Sequence, residues 1–311
     1  MFSYNCETFL NCTFAVMKAF SLLVVVLIFF SSCEKRIEFN LKNAEPVLNV
    51  DASIENGKDP VVVLTKSLNF FSTISIQDIS NSLIKDAKVF ISNGVATQEL
   101  NRIDVPLPGA ISYSYYSFDP SVGTTRIQGE LNTAYQLKII WNGKEYNANT
   151  TIPPIRKTLD SIWWEKAPFT PDTSTKVVVK GTVTDPPEFG NYIRYFTKVN
   201  DEPFFPGLGS VFDDLLVNGT TYEATIDKGV NRNSDIDFEQ IGFFKKGDNV
   251  TIKLCNIDKA TYDFWRTVEF SYSSIGNPFS SPTKIKGNIS NGALGYFGGY
   301  AAMFKSLTIP R

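Results

Sequence analysis

The chain of 311 residues contains no histidine. Without an imidazole, Ser-His-Asp and Cys-His catalysis, histidine zinc sites and histidine general bases are excluded, and only carboxylate-pair, Ser-Lys and tyrosine chemistries survive that test. Cysteine is nearly as scarce. Of the four, Cys6 and Cys12 lie near the start, Cys33 follows an apolar run, and only Cys255 lies further on. A single thiol in the body of the fold cannot form an internal disulfide, so stability has to come from a packed core, for which a 14% aromatic content supplies apolar area. A basic excess is missing too. The 30 Lys and Arg are balanced by 32 Asp and Glu, a net charge of −2, whereas a nucleic-acid footprint needs clustered positive charge. No apolar run reaches the about 20 residues that a membrane-spanning helix needs.

What is present begins with Met17 to Cys33, MKAFSLLVVVLIFFSSC. A basic start, an apolar core from Ala19 to Phe30 and small residues before a cut are the layout of a secretory signal peptide. The cysteine directly after Phe30-Ser31-Ser32 resembles the lipobox of bacterial lipoproteins. That resemblance implies cleavage before Cys33 and a covalent lipid on its thiol, with several acyl chains anchoring the protein to a membrane. Residues 1–16 carry no basic residue and one acidic one, Glu7, so Met17 is the expected start. Residues 1–32 are thus read as leader and signal peptide, and 33–45 as a lipidated tether.

From Pro46 onward the pattern is one of strands. Val47 to Ile54 and Pro60 to Thr65 flank an Asn56-Gly57 turn signal, and Ala87 to Ser92, Val95 to Leu100, Tyr113 to Phe118, Ala134 to Trp141 and Glu145 to Ile152 follow. Period-2 alternation places one face of each toward a core. Asn142-Gly143 joins the last two, and it suits both left-handed positions of a type I′ hairpin turn. Short strands with turn residues between them over residues 46–154 predict an immunoglobulin-like β-sandwich. Pro153-Pro154 interrupts the pattern and marks the expected junction to a second β-rich domain, 155–311. There, strands are expected at Leu159 to Lys166, Lys176 to Thr184, Tyr192 to Asn200, Thr221 to Ile226, Asn249 to Ile257 and near Met303 to Ile309. The one substantial helix is expected at about 258–273, with Asp258 as N-cap and Thr261, Tyr262, Trp265, Val268 and Tyr272 on its packed face. The fold class is mainly β.

Several landmarks in order then resemble a known family, the Bacteroidetes outer-membrane lipoproteins of domain of unknown function 4249 (DUF4249). They are Cys33-Glu34, the hairpin leading into Ile152-Pro153-Pro154, Leu159-Asp160-Ser161-Ile162, Gly247-Asp248-Asn249-Val250-Thr251, Tyr262-Asp263-Phe264-Trp265-Arg266, Asn277-Pro278-Phe279-Ser280-Ser281-Pro282 and Asn291 to Gly298. The resemblance implies a two-part β protein on the outer membrane, often alongside TonB-dependent transporter systems, and it carries over no catalytic residues. Which face of that membrane the protein occupies stays open, because Glu34-Lys35-Arg36 lacks the acidic run that resembles a surface-export signal.

Candidate contact residues come from two aromatic stretches. Asp201 to Leu216, DEPFFPGLGSVFDDLL, reads as a loop that offers Phe204, Phe205 and Phe212, and Tyr113 and Tyr115 share one face of their strand with Tyr116 on the other. A weak calcium candidate is Asn233, Asp235, Asp237 and Glu239, oxygen donors at every second position. Ile236 stands where an EF-hand loop has glycine, and Gly242 where it has glutamate, so that motif does not apply. A strand face turned to water explains the same spacing. No cofactor beyond the lipid on Cys33 is expected, and no metal. The expected function is a non-enzymatic binding or accessory module of the cell envelope, with the membrane and an outer-membrane transporter as partners and no nucleic acid. The alternatives are an envelope hydrolase using two carboxylates, which needs no histidine, and a structural or adhesive surface module.

Overall fold

Asn142 and Gly143 take φ of 50° and 71°, the left-handed pair that a type I′ turn demands, and the strands on either side pair residue for residue. The computed structural model describes residues 46–68, 75–108, 111–121, 126–171, 174–234, 236–237, 240–275 and 283–311. Cys33, the tether and the Asn277 to Pro282 landmark lie outside them, as do Asp235 and Glu239.

The described residues form β1 (Leu48–Glu55), β2 (Val61–Lys66), α1 (Ile76–Ser82), β3 (Lys88–Ser92), β4 (Thr97–Leu107), β5 (Ile111–Ser117), β6 (Thr133–Trp141) and β7 (Lys144–Ile152). Then come β8 (Thr158–Lys166), β9 (Lys176–Thr184), β10 (Tyr192–Val199), β11 (Phe205–Phe212), β12 (Thr221–Ile226) and β13 (Phe244–Lys245). The chain ends with β14 (Asn249–Ile257), α2 (Lys259–Ser273) and β15 (Leu294–Thr308). The protein is mainly β with open sheets, a sandwich-like fold.

Eleven strands run in the order β11-β10-β14-β15-β1-β2-β5-β4-β3-β6-β7. β4 bends this path into two layers, because residues 97–100 pair with β3 and residues 101–107 with β5. Between the layers lies one core, with Val50, Ala52 and Ile54 of β1 against Tyr135, Leu137 and Ile139 of β6. A second core lies between β10 and β14 on one side and a small sheet on the other, in which β9 pairs with β8 along one edge and with β12 and β13 along the other. Pro153-Pro154, the expected junction, falls where the chain passes from the first core to the second. Hydrogen bonding nevertheless continues between them, since β15 lies parallel to β1 from Leu294 to Tyr300 and antiparallel to β14 from Tyr300 to Thr308. Residues 46–311 form one compact unit.

The glycines of β15 permit that meeting. A Cβ at Gly295 would stand 1.8 Å from the Val50 carbonyl oxygen, and one at Gly299 would stand 2.5 Å from that of Thr151, both inside van der Waals contact. The last strand therefore begins at Leu294 and takes in the whole glycine-aromatic run, not only the stretch near Met303 to Ile309.

Asp258 caps α2 as its position predicts. Its Oδ1 accepts from Thr261 N (2.8 Å), and its Oδ2 accepts from the Thr150 hydroxyl and Thr151 N of β7 (2.8 and 3.0 Å), so one carboxylate starts the helix and ties it to the first core. The packed face differs from the predicted stripe. Thr261, Phe264 and Glu269 are the buried residues, with Tyr262, Trp265 and Val268 partly buried, while Tyr272 is exposed. A second, short helix, α1, lies between β2 and β3; a capping box between Ser75 and Asp78 starts it.

Candidate functional site

β10 carries two functional faces because alternate residues point to opposite sides of a strand. Ile193 and Tyr195 point into the second core, and Arg194 and Phe196 point toward α2. The segment expected as a loop, Asp201 to Leu216, is corrected here: its centre is β11, paired with β10. Aromatic and apolar residues spaced along that strand sit against β10, which is why it is ordered as sheet.

The β10–β11 pair is irregular. Arg194 pairs with Val211 and Phe196 with Pro206, so two steps along β10 match five along β11 and residues 207–210 form a bulge. A bulge re-aims side chains. Here it lets the Tyr195 hydroxyl lie against Gly207, where any Cβ would stand 2.1 Å from that oxygen.

Beside Tyr195 a cavity of about 190 Å3 opens between the small sheet and β10–β14. Its floor is apolar, from Leu159, Val183 and Ile226 on one sheet and Ile193, Ile252 and Leu254 on the other. Gly209, Phe212, Thr225 and Asp227 stand at its exposed mouth. The Phe212 ring stacks on Tyr195 with centroids 6.2 Å apart. Burial raises the Asp227 carboxyl above the usual carboxylate range. Burial also raises the Tyr195 phenol, and the neighbouring Asp227 charge raises it further, so the pocket presents a hydroxyl donor beside a carboxyl group.

On the opposite face of β10 the guanidinium of Arg194 lies 3.4 Å from the centroid of Trp265 and 4.8 Å from that of Phe196. Its Nε donates to Ser210 Oγ (3.1 Å), and a terminal nitrogen donates to the Tyr300 hydroxyl (3.4 Å). Trp265 Nε1 also donates to Tyr300 (3.0 Å), whose hydroxyl meets that of Tyr296 (3.2 Å). The Ser210 amide and hydroxyl donate to the Glu269 carboxylate, which also lies 3.6 Å from Arg232. This network clamps α2 to the sheet and fixes the bulge that forms the cavity wall. Cys255, beneath it, is a buried free thiol that burial pushes up to about 12, far from the low values of reactive cysteines.

The candidate contact residues fall in different places. Phe212 is at the cavity mouth. Phe205 lines a separate open depression with Pro203 and Lys228. Phe204 packs on Phe304, and Lys253 Nζ lies 5.1 Å from its ring centroid. Tyr113 and Tyr115 sit together on β5 with ring centroids 6.1 Å apart, and Tyr116 is core, its hydroxyl donating to the Ile84 carbonyl (3.0 Å). Asn231 to Ser234 make a turn rather than a strand face, with Asn233 N donating to Asn231 Oδ1 (3.0 Å). Asp237 is exposed, and no group of metal-binding residues occurs among the described residues. Tyr195 and Asp227 escaped the sequence reading. The signal for them was Gly207-Leu208-Gly209 inside an aromatic stretch, since paired glycines in a strand mark a bulge or a close approach.

No helix among the described residues is long and apolar enough to cross a membrane. No curated protein matches the chain. The model of the domain of unknown function DUF4249 matches residues 34–306, nearly all of the two-core body and the strands that build the cavity; the chain belongs to the DUF4249 family.

Proposed function

We propose that the protein is a non-enzymatic binding module of the cell envelope, lipid-anchored through Cys33 to the outer membrane, that takes a small apolar group of its ligand into the cavity beside Tyr195. The cavity carries the reading. It has an apolar floor, an aromatic ring at its mouth and two polar groups at one end, the usual division of labour in a binding pocket. A dry cavity of about 150 Å3 accepts benzene, so about 190 Å3 suits one aromatic ring or a short branched chain. Tyr195 and Asp227 would orient a polar group attached to it. The second part of the proposal is an accessory role beside an outer-membrane transporter, which fits the family resemblance and a ligand that is handed on rather than transformed.

Two measurements test this. Calorimetric titration of the protein with indole or toluene is expected to show binding that Ala224→Phe, which fills the cavity, abolishes while cooperative unfolding is retained. Equal binding by the filled variant overturns the pocket. Crosslinking in intact membranes followed by affinity purification is expected to recover an outer-membrane barrel. Recovery of the protein alone overturns the accessory role.

A further inference from the structure

Lys157 and Asp185 form an ion pair whose side chains are both 0% exposed, with Lys157 Nζ 3.3 Å from Asp185 Oδ1. Their placement follows from the small sheet. Thr158 of β8 pairs with Thr184 of β9, so the residue before one strand meets the residue after the other. Both backbones are pinned. Asn256 accepts from Lys157 N and donates to the Lys157 carbonyl (both 2.9 Å), and Asp185 N donates to the Thr220 carbonyl (2.9 Å). The side chains, by contrast, are bare. Neither Lys157 Nζ nor either Asp185 carboxyl oxygen has a hydrogen-bond partner, and the Tyr222 ring, 5.6 Å from Nζ, faces the ammonium.

Full charges in such a place are unfavourable, and a reaction that neutralises both relieves them. Burial raises the Asp185 carboxyl against the opposing pull of Lys157, and the neighbouring Asp214 charge raises it further. The Lys157 nitrogen is thus held 3.3 Å from an oxygen of a carboxyl group whose neutral form burial favours, the enforced proximity that an amide condensation needs.

We propose that Lys157 and Asp185 condense into an intramolecular amide, a covalent crosslink between β8 and β9. Lys157 Nζ passes one proton to the Asp185 carboxylate and attacks its Cγ to give a tetrahedral adduct. The carboxyl hydroxyl then leaves with a proton from the nitrogen as one water, and the Nζ–Cγ amide remains. No oxidant or other reactant is consumed. The product is neutral, so condensation removes two charges from an enclosed site.

The test is a tryptic peptide map of the full chain, extracted from membranes and denatured. The expected product is a branched peptide joining Lys157–Lys166 to Gly181–Arg194, lighter by one water than the two linear parts. Trypsin would not cut after an acylated Lys157. Asp185→Asn should yield the identical branched peptide by losing ammonia instead of water, and Lys157→Arg should yield none. Recovery of the separate linear peptides 158–166 and 181–194 from the unaltered chain overturns the proposal. So does a mass lower by one water in Lys157→Arg, which would assign the loss to another group.

Discussion

The molecule encloses charge in two ways. Glu269 and Arg194, on either side of Ser210, are wired: carboxylate to amide and hydroxyl, guanidinium to two hydroxyls and two aromatic faces. Lys157 and Asp185 form an ion pair whose Nζ and carboxyl oxygens lack hydrogen-bond partners, with the Tyr222 ring beside the ammonium. Burial does not separate the two sites, since both are almost fully enclosed. What separates them is whether the remaining protons and lone pairs find partners. A satisfied network holds its members in one arrangement and stabilises it, whereas a bare pair keeps most of its desolvation cost and gains by becoming neutral. The wired site is therefore read as a clamp for α2 and the β11 bulge, and the bare one as a place for chemistry.

The largest effect should come from cutting the wired site. Glu269→Ala leaves the Ser210 donors and Arg232 without their buried acceptor, an expected loss of about 3–5 kcal/mol. A loss of less than a fifth of that, read from urea unfolding, would show that the clamp carries little. The bare site gives a sharper contrast, because the two accounts of it predict opposite signs. Replacing an ordinary buried ion pair by apolar residues is neutral or stabilising. If the amide is present, Lys157→Met with Asp185→Leu removes a crosslink across the loop from 157 to 185, and the expected loss is about 3–4 kcal/mol by the loop-entropy estimate. Stability at or above that of the unaltered chain would return the pair to an ordinary ion pair.

The sequence made one side of this contrast visible and hid the other. The hairpin at Asn142-Gly143 and the Asp258 cap were legible because each is a local rule: two left-handed residues, one carboxylate three residues before an orphan amide. The strands were legible for the same reason, through alternation. The face of α2 was only partly so. Periodicity assigns an acidic residue to water, yet Glu269 is buried because Ser210 and Arg232, far off in the chain, satisfy it, and Tyr272 is exposed in its stead. The β1–β15 pairing joins residues some 245 apart, and the cavity and the Lys157–Asp185 pair exist only once that fold has closed. Proline-rich and aromatic flanks drew attention to Phe204, Phe205 and Phe212 as if they shared a loop. A bulge that spreads them over three environments leaves a trace only in Gly207 and Gly209.

Gly207→Ala tests how tightly the clamp and the cavity share that bulge. The added methyl would overlap the Tyr195 hydroxyl, and overpacking of this kind costs about 1–3 kcal/mol. Tyr195 is followed on β10 by Phe196, which the Arg194 guanidinium covers. Displacement of the phenol is thus expected to weaken indole binding as well as stability. The companion variant Gly207→Ala with Tyr195→Phe removes the clashing oxygen and should recover part of the stability but not the orientation of a polar ligand. Full stability in Gly207→Ala alone would show that the bulge yields without strain and would uncouple the two faces of β10.

The smallest effect concerns Asp214, the anion beside the bare pair, and it reads out in pH. Burial pushes its carboxyl up, but the N–H donors of Asn191 and Gly190, with Asp214 Oδ2 2.7 Å from both amides, outweigh burial and leave it below the ordinary range. A lowered folded value means that the contribution is present above the unfolded value of about 3.9 and is lost as pH falls through the folded one. An Asp185 consumed in an amide no longer titrates, so the acid-side loss at this end of β9 belongs to Asp214. Asp214→Asn keeps an acceptor for the two amides and removes the charge. Its expected cost near neutral pH is about 1 kcal/mol, and its stability should vary less with pH below about 4 than that of the unaltered chain. An unchanged slope there would mean that Asp214 is no more strongly held in the fold than in the open chain, and the negative charge that raises the Asp185 carboxyl would have to be sought elsewhere.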